Sequence, residues 1–256
     1  MEIAWSEVAF GLAKDIERAV LPLFGTKKAA EVVGENVSGD TTEYVDKVSE
    51  DIALSRLNAL GVNVVSEEIG FVDNGSDYTV IIDPIDGSYN FVSGIPIFAF
   101  SFAVFRNEKP VYGAIYEFIP GKFYEAIPGK GAFMNGKPIR VRKPERGREA
   151  LSFYTGGRFM GIIERVKRVR VLGAIAVELT YLAKGALDGV LDIRNYVRPT
   201  DIAAGVLIAR EAGAIVTDER GRELRLKLTA SEKTNVIAVN ERYLLDMILE
   251  EIGNEP

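Results

Sequence analysis

The sequence predicts a layered α/β fold, and three observations carry that expectation. Apolar residues recur at helical spacing along the first 25 residues and again between residues 45 and 60. Short β-rich segments punctuated by Gly and Pro fill residues 62–135. From about Ala150 onward, strand-like and helix-like patterns alternate, the rhythm of sheets covered by helices.

Ile3, Val8, Leu12, Ile16, Val20 and Leu23 fall three to five residues apart, an amphipathic helix that residues 22–25 bring to an end. The polar, glycine-containing stretch 34–42 reads as a mobile loop. Val45, Val48, Ile52, Leu57 and Leu60 then line one side of a second helix. Residues 62–65, 78–83, 97–105, 111–117, 123–127 and 132–135 read as strands of a mainly antiparallel sheet. The second half reads as strand 151–154, helix 161–166, strand 169–172, helix 174–184, strand 187–193, helix 201–212, strand 214–216 and a last helix 241–251. No internal repeat and no Ser/Gly or Pro linker appears, so an N-terminal half (1–140) and a C-terminal half (141–256) are expected to share one body. Their join carries Arg140, Arg142, Lys143, Arg146 and Arg148.

Composition narrows the chemistry. With 47% hydrophobic and 27% charged residues the chain is globular, and 31 Lys+Arg against 37 Asp+Glu, a net charge of −6, disfavour a strongly basic nucleic-acid binder. The chain has no Cys and no His. That excludes a thiol nucleophile, a Ser-His-Asp triad, a phosphohistidine and a Cys/His zinc site, leaving carboxylates, hydroxyls, Lys/Arg, backbone groups and hard metal ions. The longest apolar run, 95–105, holds Pro96 and Ser101 and is short of the ~20 residues that span a bilayer. The start, Met1-Glu2-Ile3, lacks the basic region of a signal peptide, so a cytoplasmic location and no membrane partner are expected. The absence of Gln beside abundant Glu, Lys and Arg hints at a heat-adapted source.

The most informative stretch is Val80-Ile81-Ile82-Asp83-Pro84-Ile85-Asp86-Gly87-Ser88-Tyr89-Asn90-Phe91. A buried strand runs into two acids; Pro84 is expected to stop the ladder, and Asp83 and Asp86 can converge on one cation with the Ile85 carbonyl facing the same point. Gly87 and Ser88 offer backbone N–H groups to an anionic oxygen. An ordinary Asx turn explains the same residues. Glu67-Glu68 after strand 62–65 is either a solvated turn or a second pair of acids, relevant if that strand lies parallel beside the next. Asp201 opens an Ala-rich helix, where an Asp is either an N-terminal cap or a group that helps bind a metal or phosphate; Ala203, Ala204 and Gly205 suit tight helix packing.

Together these motifs resemble the inositol monophosphatase superfamily, and within it the archaeal branch active on both inositol monophosphate and fructose 1,6-bisphosphate. The Glu-Glu pair, the Asp-Pro-Ile-Asp-Gly-Ser-x-Asn-Phe segment and the late Asp before a small-residue helix occur in the family's order across nearly the whole chain. The resemblance implies an αβαβα five-layer sandwich of the sugar-phosphatase type and a homodimer. It implies magnesium ligation by Glu67, Asp83, Asp86, Asp201 and the Ile85 carbonyl, with two or three Mg²⁺ ions per subunit. Asp40, at the head of an Asp-x5-Asp segment ending at Asp46, and Ser88, where many relatives have Thr, would orient the attacking water. Gly87 and Ser88, with the Gly173, Ala174 and Ala176 region, would position phosphate and sugar hydroxyls. Two departures bear on substrate: Thr200 stands where the family commonly has Trp, and Arg194 where inositol-specific members carry a Glu. A guanidinium suits a second phosphate. Tyr154, Arg158, Arg168 and Arg170 are further groups that could face it.

The expected activity is therefore Mg²⁺-dependent hydrolysis of inositol 1-phosphate and fructose 1,6-bisphosphate, small phosphorylated substrates, by in-line attack of a metal-activated water without a phosphoenzyme. The competing readings are an inositol-specific phosphatase, which Arg194 argues against; a 3′-phosphoadenosine nucleotide phosphatase, for which no adenine-binding insertion is seen; and a non-enzymatic binding module, against which the retained acids argue. If the 34–42 segment moves over the site carrying Asp40, Asp40→Asn should leave KM nearly unchanged and cut kcat strongly. Steady-state kinetics on either substrate check this, and unchanged turnover would refute it.

Overall fold

The computed structural model describes residues 3–37 and 39–254; Met1, Glu2, Ser38, Glu255 and Pro256 lie outside them. Chain order begins with α1 (Trp5–Val20), a 3-10 turn at Leu21–Leu23, β1 (Val32–Glu35), β2 (Thr41–Glu43), α2 (Tyr44–Ala59), β3 (Asn63–Ser66), β4 (Gly70–Val72), β5 (Tyr78–Asp86) and α3 (Ser88–Val92). It continues with β6 (Ala99–Arg106), β7 (Lys109–Glu117), β8 (Lys122–Ile127), β9 (Gly131–Met134), β10 (Lys137–Ile139) and β11 (Ala150–Tyr154). The remainder is α4 (Gly161–Glu164), β12 (Arg168–Arg170), α5 (Ile175–Ala183), β13 (Gly189–Val197), α6 (Pro199–Glu211), β14 (Ile215–Thr217), β15 (Thr234–Val239) and α7 (Arg242–Asn254).

Two sheets organise these elements. An eight-stranded sheet runs β10-β9-β8-β7-β6-β5-β3-β4, antiparallel except where β3 lies parallel to β5. A five-stranded sheet runs β12-β11-β13-β15-β14, with β11 parallel to both neighbours and β15 antiparallel to β13 and β14. The first contains only strands before residue 140 and the second only strands after 149.

The period-two alternation of β5 and β6 sends their side chains into two different cores. Val80, Ile82, Phe100, Phe102 and Val104 meet Leu12, Ile16, Val45 and Leu57 of α1 and α2 on one face. Ile81, Ala99 and Ala103 meet Val177 of α5 and Ala203, Ala204 and Ile208 of α6 on the other. The opposite faces of α5 and α6, through Leu179, Leu182, Ile202 and Val206, cover Val190, Val236 and Ala238 of the five-stranded sheet. The outer face of that sheet, with Phe153, Leu191 and Ile237, is closed by Ile162 of α4 and by Leu244 and Ile248 of α7. The order is helices, sheet, helices, sheet, helices: the five-layer sandwich. Each fully buried Phe or Leu contributes roughly 1.5–3 kcal/mol.

Several local expectations are corrected. Gly34 and Glu35, expected in a loop, are strand residues of a hairpin, with Gly34 opposite Thr42 and Glu35 opposite Thr41. Pro84 does not stop β5. The ladder crosses an irregularity, Asp83 facing Ser101 and Asp86 facing Ala99, so one extra residue is accommodated as a bulge. Strands β4, β10 and β15 were absent from the sequence reading, and α6 starts two residues before Asp201.

The middle layer is tightly packed. A Cβ added at Gly205 in α6 would lie 2.5 Å from Leu179 Cδ1 and 2.8 Å from its Cβ. Ala is favoured over Gly inside a helix by about 1 kcal/mol, while overpacking costs about 1–3 kcal/mol. The contact with Leu179 Cβ cannot be relieved by a rotamer change, so the second effect should win. Gly205→Ala is expected to destabilise the fold, read as a lower Tm, and a higher Tm would refute the close packing.

Candidate active site

The parallel pairing of β3 with β5 puts Ser66 opposite Ile82. Glu67, the first residue past the end of β3, therefore lies level with Asp83, which precedes the bulge in β5. The β5 bulge turns the backbone there, and the Ile85 N–H donates to Asp83 Oδ1 at 3.0 Å. The Asx turn is thus present, and the same carboxyl still reaches a cluster. Asp201 arrives from the first turn of α6. The Arg198 N–H donates to its Oδ2 at 2.8 Å and the Thr200 hydroxyl to its Oδ1 at 2.9 Å, so Thr200 orients the carboxylate. One carboxylate oxygen from each of Glu67, Asp83 and Asp201 lies within 4.8 Å of the others, a group that could hold a metal ion. An all-oxygen donor set of this kind suits a hard divalent cation.

Asp86 faces a different neighbour. Its Oδ2 accepts the Ala176 N–H at 2.8 Å. Residue 174, at the N-terminal boundary of α5, is an Ala with no side-chain acceptor, so Asp86 supplies the carboxylate that a helix N-terminus favours. Beside it, Gly87 has φ +89°, and a Cβ there would sit 2.9 Å from Ala174 Cβ and 3.1 Å from the Ile97 carbonyl oxygen. Asn90 Nδ2 donates to the carbonyls of Ile97 and Leu172 at 2.8 and 2.7 Å. Turn 86–88 is therefore packed closely against residues 172–174 and the start of α5.

These acids border one cleft of about 210 Å³, which Asp40, Asp46, Ile85, Gly87, Ser88 and Arg198 also line. Not every sequence candidate lies there. Ala174 and Ala176 are buried, and the Ala176 N–H is committed to Asp86, which leaves that amide none to offer a substrate. The Gly173 N–H donates to the Tyr154 hydroxyl at 3.0 Å. Arg194 is held by both oxygens of Asp192, with its guanidinium 4.7 Å from the Tyr154 ring centre and 4.8 Å from that of Tyr196. Arg168 and Arg170 line a separate basic cleft with Arg142, Lys143 and Arg148.

Arg198 was missed by the sequence reading. Its side chain is only 7% exposed, and it donates from Nη1 to Glu67 Oε1 at 2.6 Å and from Nη2 to Asp40. Its position three residues before Asp201, in the first turn's approach, was the available signal.

Burial and mutual repulsion push the acids upward. Glu67 rises from its ordinary 4.5 to about 7, through burial and the Asp201 charge, against the opposing pull of Arg198. Asp83 is raised well above the usual carboxylate range by burial, then by Asp86, Asp201 and Glu67. Burial also raises Asp86 and Asp201, and lifts Asp46 to about 7.

Known proteins resolve what such a site belongs to. A sequence model of the inositol monophosphatase family matches residues 4–256. A Thermococcus kodakarensis protein named fructose-1,6-bisphosphatase/inositol-1-monophosphatase is 69% identical over 256 residues, 100% of both chains. The chain belongs to the inositol monophosphatase family. A Pyrococcus furiosus fructose-1,6-bisphosphatase is 54% identical over 96% of each chain. The solved structure of a Pyrococcus horikoshii protein, described by its similarities to inositol-1 monophosphatase, matches with a TM-score of 0.92 at 53% identity, covering 96% of this chain and 97% of that one. The inositol monophosphatase family is metal-dependent, and membership makes this chain a phosphatase with an acidic cluster able to take a metal. Among the described residues, no helix is long and apolar enough to cross a membrane.

The raised carboxyls set the pH response of the metal-free protein. Between about 4.5 and 7 the folded chain holds a proton on Glu67 that the unfolded chain has released. Folding binds protons in that window, so stability should fall as pH rises through it. No His titrates there to confuse the reading. Thermal denaturation with excess chelator should give a lower Tm at pH 7.5 than at pH 5.5, and excess Mg²⁺ should shrink the difference; a Tm that rises with pH would contradict the assignment.

Proposed function

We propose that this phosphatase hydrolyses inositol 1-phosphate and fructose 1,6-bisphosphate with Mg²⁺ held by Glu67, Asp83, Asp86, Asp201 and the Ile85 carbonyl, two or three ions per subunit. The observation that carries the reading is the convergence of Glu67, Asp83 and Asp201 from three separate elements to within 4.8 Å. The name of the 69% identical relative supports the pair of substrates. Asp86 Oδ2 accepts the Ala176 N–H, and the carboxylate has further lone pairs for a cation.

When bound, Mg²⁺ neutralises the phosphate dianion, lowers the pKa of water and stabilises the departing alkoxide. The chain's own groups do the positioning. Ser88 and the N–H groups of Gly87 and Ser88 hold the phosphate against the cleft floor. Asp40 accepts a hydrogen bond from the attacking water, and the Ser88 hydroxyl fixes that water's second direction. Arg194 reads the second phosphate of the bisphosphate; its stacking between Tyr154 and Tyr196 limits the guanidinium's freedom before substrate arrives. The loop with Gly173 borders the sugar. Arg170 is a candidate for the distal phosphate only through a change in position, because it lines the other basic cleft here. A homodimer, a cytoplasmic location and a division into halves at 140/141 complete the proposal.

Phosphate release with Mg²⁺ on both substrates, for the native chain and Arg194→Glu, tests it. The native chain is expected to cleave both. The variant should lose the bisphosphate selectively, by about ten- to a hundredfold in kcat/KM, the worth of a charge-assisted hydrogen bond. Equal activity on both in the variant would place the second-phosphate contact elsewhere, and no release from either substrate would refute the function.

A further inference from the structure

Among the described residues that line the acid cleft, Arg198 is the one cation. Its guanidinium lies between two carboxylates from the N-terminal half, Glu67 and Asp40, while its main-chain N–H holds Asp201. A buried fork with five donors normally fills its sites. Here Nε is buried without a hydrogen-bond partner, so the side chain is only partly satisfied where it sits. Glu67 also accepts from Asn36 Nδ2 at 3.2 Å, which leaves it oriented when the guanidinium leaves.

We propose that Arg198 is a built-in counter-cation of the metal site. In the metal-free chain it neutralises Glu67 and Asp40, and a divalent ion arriving at Glu67 meets a like charge 2.6 Å from Oε1 and drives it off. The inference rests on the metal-ligand reading of Glu67 and goes further, because it makes metal binding an exchange of one cation for another. Two consequences follow from the geometry. Metal affinity is lower than the number of acids alone would give, since the ion competes with a tethered charge. The same displacement releases Asp40, so the group that addresses the water becomes available only once the cation has arrived.

The sign of one measurement separates this role from a structural one. Calorimetric titration of the metal-free chain with Mg²⁺ is compared for the native protein, Arg198→Met and Arg198→Lys. Removing a competing charge should tighten Mg²⁺ binding by about tenfold or more in Arg198→Met, and enlarge the rise in Tm that saturating Mg²⁺ produces. Arg198→Lys keeps the charge but cannot bridge both acids in one plane, and should fall between the two. If Arg198 only braced the site, Arg198→Met would bind Mg²⁺ more weakly. Weaker or unchanged affinity in that variant overturns the proposal, and should Arg198→Met fail to fold, native-like or weaker affinity in Arg198→Lys does so. If the native chain takes up no Mg²⁺ at all, the metal-site reading itself falls, a result distinct from either.

Discussion

Repulsion between carboxylates is the constraint on which the rest of this structure depends. Glu67, Asp83 and Asp201 present oxygens within 4.8 Å of one another, and Asp86 lies one residue beyond the Asp83-Pro84-Ile85 turn. Left to themselves such groups would separate or take up protons. Each is therefore held by groups around it: Glu67 by Asn36 Nδ2 and Arg198 Nη1, Asp83 by the Ile85 N–H, Asp201 by the Arg198 N–H and the Thr200 hydroxyl, Asp86 by the N-terminus of α5. The favourable folding energy comes from the apolar layers, and the site spends part of it to remain ready for a cation.

Those layers decide where the acids can meet. Because β3 and β5 are parallel neighbours, the exit of β3 falls beside the bulge of β5, so Glu67 and Asp83 are brought level. Because α6 is apolar on two faces, it packs against both sheets, and its first turn is carried to the seam. Glu211, at the other end of α6, accepts the N–H groups of Gly129 and Gly131 from the β8–β9 turn, which fixes the helix along its axis. Asp201 is thereby positioned by contacts along the whole length of the helix, well away from the site itself.

Much of this was legible in the sequence, and the misses have physical reasons. The acids at strand ends and the Gly after Asp86 stand out because turn chemistry and ligand chemistry use the same residues at the same spacing, and the resemblance then chose between them. The second-half alternation of strands and helices was plain because each element buries one or both faces. The role of Arg198 was not legible beyond its place three residues before Asp201: its partners Glu67 and Asp40 lie 131 and 158 residues away, and no local pattern encodes such a pairing. The β1–β2 hairpin was missed because β1 is exposed throughout and so carries no alternation. The course of β5 past Pro84 depended on a bulge, which a proline normally marks as an ending.

The approach of Gly87 to Ala174 sets a ruler between the turn after β5 and the start of α5. Residue 87 cannot enlarge alone, since a single added methyl group there already meets the Ala174 methyl at 2.9 Å. The separation between the turn bearing Gly87 and Ser88 and the start of α5 is therefore fixed by the smallest side chains available. Side chains on the rim of the cleft can change without altering this spacing, whereas any side chain at residue 87 must force the two backbones apart.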